Sequence, residues 1–319
     1  MSIPTINLGS SKKEIATILR SACKVGFFYL EGHSIPQHLL DGIFQQSKQL
    51  FALPLEQKIS LFDSILQRGY TTFEDETLDP ANQPTRGDTK EGYYIGNDAP
   101  KEEMDASKLH GPNVWPSPED CQWNQDQCLE FRRIMEKYRT EAVRVCMELL
   151  SCFALAVSED RHLFDRYFEP PSTFIRLLHY SSEPSDVKNG LYSCGAHSDY
   201  GMITLLLTDD NPGLQVKVDD EKWINITPKK GTFVVNIGDM FERWTNGIFK
   251  STVHRVITLK GANERYSVPF FFDPNFDALV ECLESCCSDD NPAKYPPITA
   301  GRHLLNMYEK TYNDFEKKD

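Results

Sequence analysis

The sequence lacks the features that define several large classes of protein. No apolar run in its 319 residues reaches the roughly 18 residues that a membrane span requires. The N-terminus shows no charged stretch followed by an apolar one, so no secretory signal is visible. Basic residues are outnumbered, with 34 Lys and Arg against 47 acidic residues and a net charge of −13. Because nucleic acids and anionic membranes repel such a chain, we expect the protein to bind neither. We also expect it to be cytoplasmic.

The nine cysteines are irregularly spaced and form no C-x-x-C pair. A zinc knuckle or a thioredoxin-like motif is therefore not indicated. We expect reduced thiols that pack as small apolar side chains, Cys194 among them.

Two patterns of apolar residues divide the chain. Helical spacing predicts helices over residues 11–22, 37–50, 55–61, 122–156 and 299–317. The helix over 122–156 is long for a globular protein, and we expect it to be bent or broken once. Residues 64–118 are polar and are expected to form long loops with short strands, including one at 90–96.

Segments rich in β-branched and aromatic residues follow residue 170. They predict strands at 173–180, 203–208, 213–218, 223–227, 232–237, 251–258 and 265–272. An earlier strand is predicted at 26–30. The fold class is therefore α+β, with helices around a C-terminal sandwich, jelly roll or barrel.

One His-x-Asp sequence, His197-Ser198-Asp199, comes just before the strand at 203–208. Side chains two apart on an extended chain point the same way, so both can bind one metal ion. A second histidine, His254, follows 55 residues after Asp199 in a β-branched segment. Two histidines and one carboxylate form the facial triad of non-haem Fe(II) enzymes, although zinc enzymes also use such a set.

Arg265 and Ser267 lie in the apolar strand predicted at 265–272 and alternate onto one of its faces. A guanidinium beside a hydroxyl is suited to the distal carboxylate of a dicarboxylic acid. A buried arginine in such a strand needs a partner, which favours a binding role over a surface position.

His-x-Asp, a later His and Arg-x-Ser together resemble the 2-oxoglutarate- and Fe(II)-dependent dioxygenases of the isopenicillin N synthase-like superfamily. The likeness extends to the segments Pro4–Leu8, Gly26–His33, Asp88–Gly96 and Tyr295–Gly301. Gly32 and Ser34 differ from the Asn and Gly that are usual in the family. The resemblance implies a double-stranded β-helix, or jelly-roll, core wrapped by helices.

The resemblance also implies a division of the chain and a set of ligands. It predicts an N-terminal region at 1–118, a long helix within 119–170, the jelly-roll core at 171–275 and a C-terminal helical region at 276–319. His197, Asp199 and His254 would bind Fe(II). Arg265, Ser267 and Tyr180 would bind 2-oxoglutarate, with O₂ as the other substrate and ascorbate as a candidate reductant.

The implied activity is hydroxylation or desaturation of a small organic molecule, with succinate and CO₂ as co-products. Substrate contacts are predicted for the aromatic residues Tyr70, Tyr94, Tyr200, Phe241 and Phe272, and also for Phe270 and the C-terminal helix. Asn236, Gly238 and Asp239 are interpreted as turn residues, and His179 as a structural residue. The protein is expected to be a monomer.

Three alternatives stay open from the residues alone. The first is an Fe(II) oxidase of the same fold that does not consume 2-oxoglutarate. The second is a small-molecule receptor that has kept the jelly roll. The third is a demethylase of protein or nucleic acid, which the net charge of −13 disfavours for nucleic acid.

Overall fold

The long helix predicted at 122–156 is the longest helix of the protein. A computed structural model describes residues 3–219 and 222–311, the last two by their backbone only. The helices are α1 (Lys12–Ala22), α2 (Gln37–Phe51), α3 (Leu55–Ile59), α4 (Gln125–Val157), α5 (Asp239–Trp244) and α6 (Ala300–Thr311). The part of the last predicted helix beyond residue 311 lies outside the described residues.

Helix α4 runs for 33 residues without interruption, so the predicted break is wrong. It contains no proline or glycine to cause one. Asn124 begins it with a capping box, in which its side chain accepts from the Gln127 amide and the Gln127 side chain accepts from the Asn124 amide. No helix in the described residues is long and apolar enough to cross a membrane.

In the part of the chain that the structure describes, fifteen strands form three sheets. They are β1 (Thr5–Asn7), β2 (Phe27–Glu31), β3 (Phe62–Asp63), β4 (Arg68–Thr71), β5 (Lys90–Ile95), β6 (Ser172–Tyr180), β7 (Cys194–His197), β8 (Ile203–Thr208), β9 (Leu214–Lys217), β10 (Trp223–Asn225), β11 (Phe233–Ile237), β12 (His254–Val256), β13 (Arg265–Asp273), β14 (Leu279–Val280) and β15 (Ile298–Thr299). Strand β12 is shorter than the predicted segment 251–258.

The main sheet has nine strands in the order β1-β2-β11-β8-β13-β6-β5-β4-β3. A smaller sheet, β10-β9-β12-β7, has four. Strands from before residue 118 and after residue 171 therefore share one sheet. The division of the chain into four regions stays a prediction.

The two faces of the main sheet bury different sets of side chains. One face packs against helices α1, α2 and α4 and contains most of the apolar core. The other face forms a smaller apolar cluster with the four-stranded sheet, including Phe27, Tyr180, Val216 and Val256. These two sheets, antiparallel except for the parallel pair β1 and β2, lie face to face and give the jelly-roll core, and the space between them is where a ligand site can form.

Phe153 belongs to the larger apolar cluster, between the main sheet and the helices. Its ring is fully buried and lies 4.9 Å from the Phe241 ring centroid and 5.8 Å from that of Phe249. Phe153→Ala should lower the free energy of unfolding by about 3–5 kcal/mol, because the cavity left in a packed core is not refilled. Chemical denaturation measures the loss.

Leu129→Ala is the matched control on the same helix. Leu129 is 55% exposed, so its truncation should change the free energy of unfolding by no more than about 0.5 kcal/mol. Equal losses in the two variants would contradict the placement of Phe153 in the core.

Candidate active site

The predicted metal ligands come together where two strands of the smaller sheet pair. Strands β7 and β12 run antiparallel with His197 directly opposite His254, and the two ring centroids are 4.3 Å apart. Asp199 follows two residues after His197, and its Oδ1 lies 3.7 Å from the Nε2 atom of each histidine. Among the described residues, this is the only group of three or more His, Cys, Asp or Glu side chains whose ligand atoms lie close enough together to hold a metal ion.

Hydrogen bonds to the backbone fix which nitrogen each imidazole turns toward the others. His197 Nδ1 donates to the carbonyl of Gly195 at 2.8 Å, and His254 Nδ1 donates to that of Thr252 at 3.2 Å. Because Nδ1 carries a proton in each ring, Nε2 is the nitrogen that lies beside Asp199 and that can bind a metal ion once it is deprotonated. Metal-binding histidines are oriented in this way by partners behind the ring. The donor set fits Fe(II), with open positions left for further ligands.

Asn236 has a role that the sequence analysis missed. It lies within β11 and opposite Thr204 of β8, and its Nδ2 donates to Asp199 Oδ2 at 2.6 Å. Thr204 Oγ1 donates to the same oxygen. Both bonds leave Asp199 Oδ1 available to a cation. Interpreting Asn236 as a turn residue was therefore wrong, and a buried amide in an apolar strand was the signal that it needed a partner.

Gly238 and Asp239, the other two residues interpreted as turn residues, follow the end of strand β11. Gly238 is the cap of α5, and the Asp239 amide donates to the Asp199 carbonyl at 2.8 Å. The Asp239 carboxylate accepts from Ser198 Oγ at 3.3 Å. Both positions support the backbone of the His197–Asp199 segment.

Burial disfavours the charged form of all three ligand side chains, whereas the attraction between the Asp199 carboxylate and the two imidazoles favours it. The pKa of Asp199 lies below its usual value, because two imidazoles and two hydrogen-bond donors outweigh its burial. Burial and the neighbouring His197 lower the pKa of His254 to about 4. Burial also acts against the charged form of His197, yet Cys194 and Asp199 raise its pKa to about 9. A metal ion here competes with a proton on His197, so its affinity should rise with pH.

The predicted 2-oxoglutarate residues lie in the same cavity as the three ligand side chains. Arg265 pairs in register with Tyr180 across β13 and β6, and its guanidinium carbon lies 4.7 Å from the Tyr180 ring centroid. Arg265 Nη1 donates to Ser267 Oγ at 3.4 Å, and Ser267 Oγ donates to the Tyr180 hydroxyl at 3.4 Å.

Arg265 is a buried cation with no carboxylate partner among the residues that the structure describes. It is only 4% exposed, no acidic side chain of the described residues forms an ion pair with it, and its Nε has no hydrogen-bond partner. An uncompensated buried charge is strongly unfavourable, so the position is suited to an anionic ligand.

The cavity has two lobes, each enclosing about 520 Å³ that is partly open to solvent, and they share Leu78, Arg176, His197, Asp199 and Phe271. We call the lobe around Arg265, Ser267 and Tyr180 the Arg265 lobe. The other is the Tyr94 lobe. Its aromatic lining consists of Tyr94, Phe174, Tyr200, Phe271 and Tyr308, with Leu78 and Leu304 as aliphatic neighbours.

The Tyr94 lobe contains two of the predicted substrate contacts, Tyr94 and Tyr200. The C-terminal helix α6 also contributes, as predicted, through Leu304 and Tyr308. Phe174 and Phe271 were not predicted. They face each other in the β6–β13 register, and Phe271 is on the same alternating face of β13 as Arg265 and Ser267.

The remaining predicted substrate contacts are wrong, because these rings belong to the core. Phe270 and Phe272 point to the helix-covered face of β13 and are fully buried. Phe241 packs on Phe153. Tyr70 lies opposite Tyr93 in the β4–β5 register and donates its hydroxyl to Glu91 at 2.6 Å.

The strand period explains these errors. Residues two apart share a face, so Arg265 and Ser267 already indicate that 269, 271 and 273 face the cavity and that 270 and 272 do not. Applying that rule to β13 would have selected Phe271 from the sequence.

Comparisons with known proteins match both halves of the chain. A family described as the 2OG-Fe(II) oxygenase superfamily matches residues 171–274, and one described as the N-terminal region of non-haem dioxygenases in morphine synthesis matches residues 3–118. A 2-oxoglutarate-Fe(II) type oxidoreductase of Emericella nidulans is 35% identical over 97% of this chain and 88% of its own. Clavatol oxidase of Penicillium crustosum is 35% identical over 95% and 92%.

Solved structures give the same result. A full-length Neurospora crassa protein in complex with α-ketoglutarate (2-oxoglutarate) superposes with a TM-score of 0.83 at 30% identity, covering 97% of this chain and 96% of that one. A second structure of that protein contains α-ketoglutarate and thymine. A 2OG-Fe(II) oxygenase family protein from Caulobacter crescentus superposes with a TM-score of 0.81 at 30% identity, covering 97% and 99%.

The chain belongs to the 2OG-Fe(II) oxygenase superfamily. It is a 2-oxoglutarate- and Fe(II)-dependent dioxygenase that oxidises a small molecule, with Fe(II), 2-oxoglutarate and O₂ as the reactive partners. The predicted family, fold class, enzyme class and these cofactors are confirmed. Dependence on 2-oxoglutarate separates it from the alternative oxidase, and membership of the enzyme class separates it from the receptor.

Asn236→Ala should weaken metal binding by about 10- to 100-fold, because losing the partner behind a ligand carboxylate frees it to rotate. Isothermal titration calorimetry of the metal-free protein with Mn²⁺ measures the affinity. Asn225→Ala is the control, since Asn225 is exposed and its side chain accepts a hydrogen bond from Gln215, away from the metal ligands. An affinity equal to that of the wild type would show that Asn236 does not support Asp199.

Proposed function

We propose that His197, Asp199 and His254 bind the Fe(II) and that Arg265 and Ser267 bind the distal carboxylate of 2-oxoglutarate. The observation that carries the proposal is the buried guanidinium of Arg265, which lacks a carboxylate partner in the described residues and shares a cavity with the triad. A dicarboxylic acid can supply that partner with one end and reach the metal with the other.

The bound iron supplies the activation of O₂, coupled to the oxidative decarboxylation of 2-oxoglutarate to succinate and CO₂ and to oxidation of a substrate C–H bond. The chain's own residues position the reactants. Asn236 and Thr204 orient the Asp199 carboxylate, and the backbone carbonyls behind the two histidines orient their rings. No side-chain acid or base is required by this arrangement.

The Tyr94 lobe is the substrate site in this proposal. His197 and Asp199 line this lobe as well as the Arg265 lobe, so a substrate there lies beside the metal position. Its aromatic lining suits a small organic molecule, as the thymine complex of the Neurospora crassa protein illustrates for that relative. Hydroxylation and desaturation are both compatible with this site.

The enzyme is proposed to be a cytoplasmic monomer that does not act on nucleic acid. Ascorbate is proposed as its accessory reductant. The net charge of −13 supports the exclusion of nucleic acid.

Arg265→Lys should be far from conservative, since lysine offers a point charge where a planar fork of two donors is needed. The apparent affinity for 2-oxoglutarate should fall roughly 30- to 1000-fold, corresponding to about 2–4 kcal/mol. Metal affinity should be unchanged, because Arg265 is not among the ligand side chains. Anaerobic calorimetry with the metal-loaded protein measures both affinities.

Arg255→Lys is the matched control. Arg255 follows the ligand His254, but its guanidinium carbon lies 4.0 Å from the Trp223 ring centroid and its Nε donates to Gln215. This variant should keep the wild-type affinity for 2-oxoglutarate. If Arg265→Lys keeps it too, Arg265 is a structural residue of β13 and the proposed cosubstrate site is wrong.

A further inference from the structure

The two lobes of the cavity differ in how their arginines are neutralised. In the Arg265 lobe the guanidinium has no carboxylate partner among the described residues. Arg176 of β6 borders both lobes and is the arginine of the Tyr94 lobe, and Glu76 holds it in a bidentate ion pair, with oxygen–nitrogen distances of 2.8 and 3.3 Å. Both side chains of this pair are buried and both line the lobe.

Glu76 belongs to a larger buried network whose charges cancel. Its Oε2 also lies 2.8 Å from Lys90 Nζ, and Lys90 forms a close ion pair with Asp88. The network therefore contains two cations and two carboxylates. The attraction of Arg176 and Lys90 keeps the pKa of Glu76 well below its usual value despite its burial. Glu76 is thus a carboxylate whenever the enzyme works near neutral pH.

Apart from the metal site, the described residues of the Tyr94 lobe include no basic side chain other than Arg176. Apart from the ligand residues, its other ionisable acid is Asp273, which accepts from the Met202 amide at 2.7 Å. A carboxylate on the substrate would meet the Glu76 carboxylate, and it could bind the two Nη atoms of Arg176 only by displacing Glu76. Displacement would leave Glu76 buried with a single cationic partner shared with Asp88, which is strongly unfavourable.

The walls of the lobe favour flat molecules. Phe174 and Phe271 face each other across β6 and β13, and the Arg176 guanidinium lies over the Tyr94 ring, 4.3 Å from its centroid. Aromatic faces of this kind stack on planar groups. The carboxylate oxygens of Glu76 and the hydroxyl of Ser198 provide polar contacts at the edge of the lobe.

We propose that the prime substrate is a small, planar, uncharged molecule, and that Glu76 is the specificity-determining residue that excludes carboxylates by occupying Arg176. The inference rests on the proposed function, because it takes the Tyr94 lobe as the substrate site. It assigns opposite preferences to the two lobes, with an acid in one and a neutral molecule in the other.

The test compares matched pairs of aromatic amides and acids, namely benzamide with benzoate, nicotinamide with nicotinate, and indole-3-acetamide with indole-3-acetate. Binding to the enzyme loaded with Fe(II) and 2-oxoglutarate is measured anaerobically by calorimetry. The wild type should bind at least one amide, and each bound amide should be preferred over its acid by about tenfold or more. Glu76→Gln keeps the shape but removes the charge, so it should improve binding of the acids by about tenfold or more.

Glu74→Gln is the control variant, since Glu74 lies in the same loop and pairs with the exposed Arg86 outside the cavity. It should keep the wild-type preference. Adding Arg176→Gln to Glu76→Gln should abolish the improved binding of the acids, because the guanidinium that lost its partner Glu76 is then also absent. The wild-type measurement tests the exclusion by itself if Glu76→Gln does not fold.

Three outcomes would overturn the inference: a wild type that binds the acids as tightly as the amides, one that binds none of the amides, or a folded Glu76→Gln with unchanged preference. Affinity for 2-oxoglutarate is recorded in every sample. A wild type that does not bind 2-oxoglutarate would reject the proposed function instead, so the two failures are distinguishable.

Discussion

The antiparallel pairing of β7 with β12 is the constraint on which the site depends. It places His197 directly opposite His254, although the two residues are 57 positions apart in the sequence. Asp199 then reaches both imidazoles because it follows two residues later on the same chain. The site needs no loop closure to form, since the register of two strands already sets the distances between its donor atoms.

The main sheet completes what the smaller sheet begins. Asn236 and Thr204 are cross-strand neighbours in the main sheet, and together they hold the Asp199 oxygen that faces away from the histidines. Arg265 and Ser267 project from the same face of that sheet. The helices pack on the opposite face of this sheet, so the inner face is available to bind ligands. The apolar side chains of β13 at 266, 268, 270 and 272 pack in the core on the helix-covered face and fix the position of the strand.

Much of this could be predicted from the sequence, for physical reasons. Apolar periodicity located the helices, and the runs of β-branched residues located most strands of the core. The spacing of His197, Asp199, His254, Arg265 and Ser267 resembles a known family closely enough to select the cavity. What the sequence did not show was pairing across the sheet. Asn236 was mistaken for a turn residue because its partner Asp199 is 37 positions away, and Tyr70 was placed in the cavity because the face of β4 is defined only by its register with β5.

The central claim is that one cavity holds a metal ion on three side chains and a dicarboxylic acid between that ion and Arg265. A crystal structure of the protein grown anaerobically with Fe(II) and 2-oxoglutarate tests this most directly. The account predicts iron bound to His197 Nε2, Asp199 Oδ1 and His254 Nε2, with the distal carboxylate of 2-oxoglutarate on the Arg265 guanidinium. Iron on a different set of side chains, or that carboxylate paired with Arg176 or Lys90 instead, would contradict it.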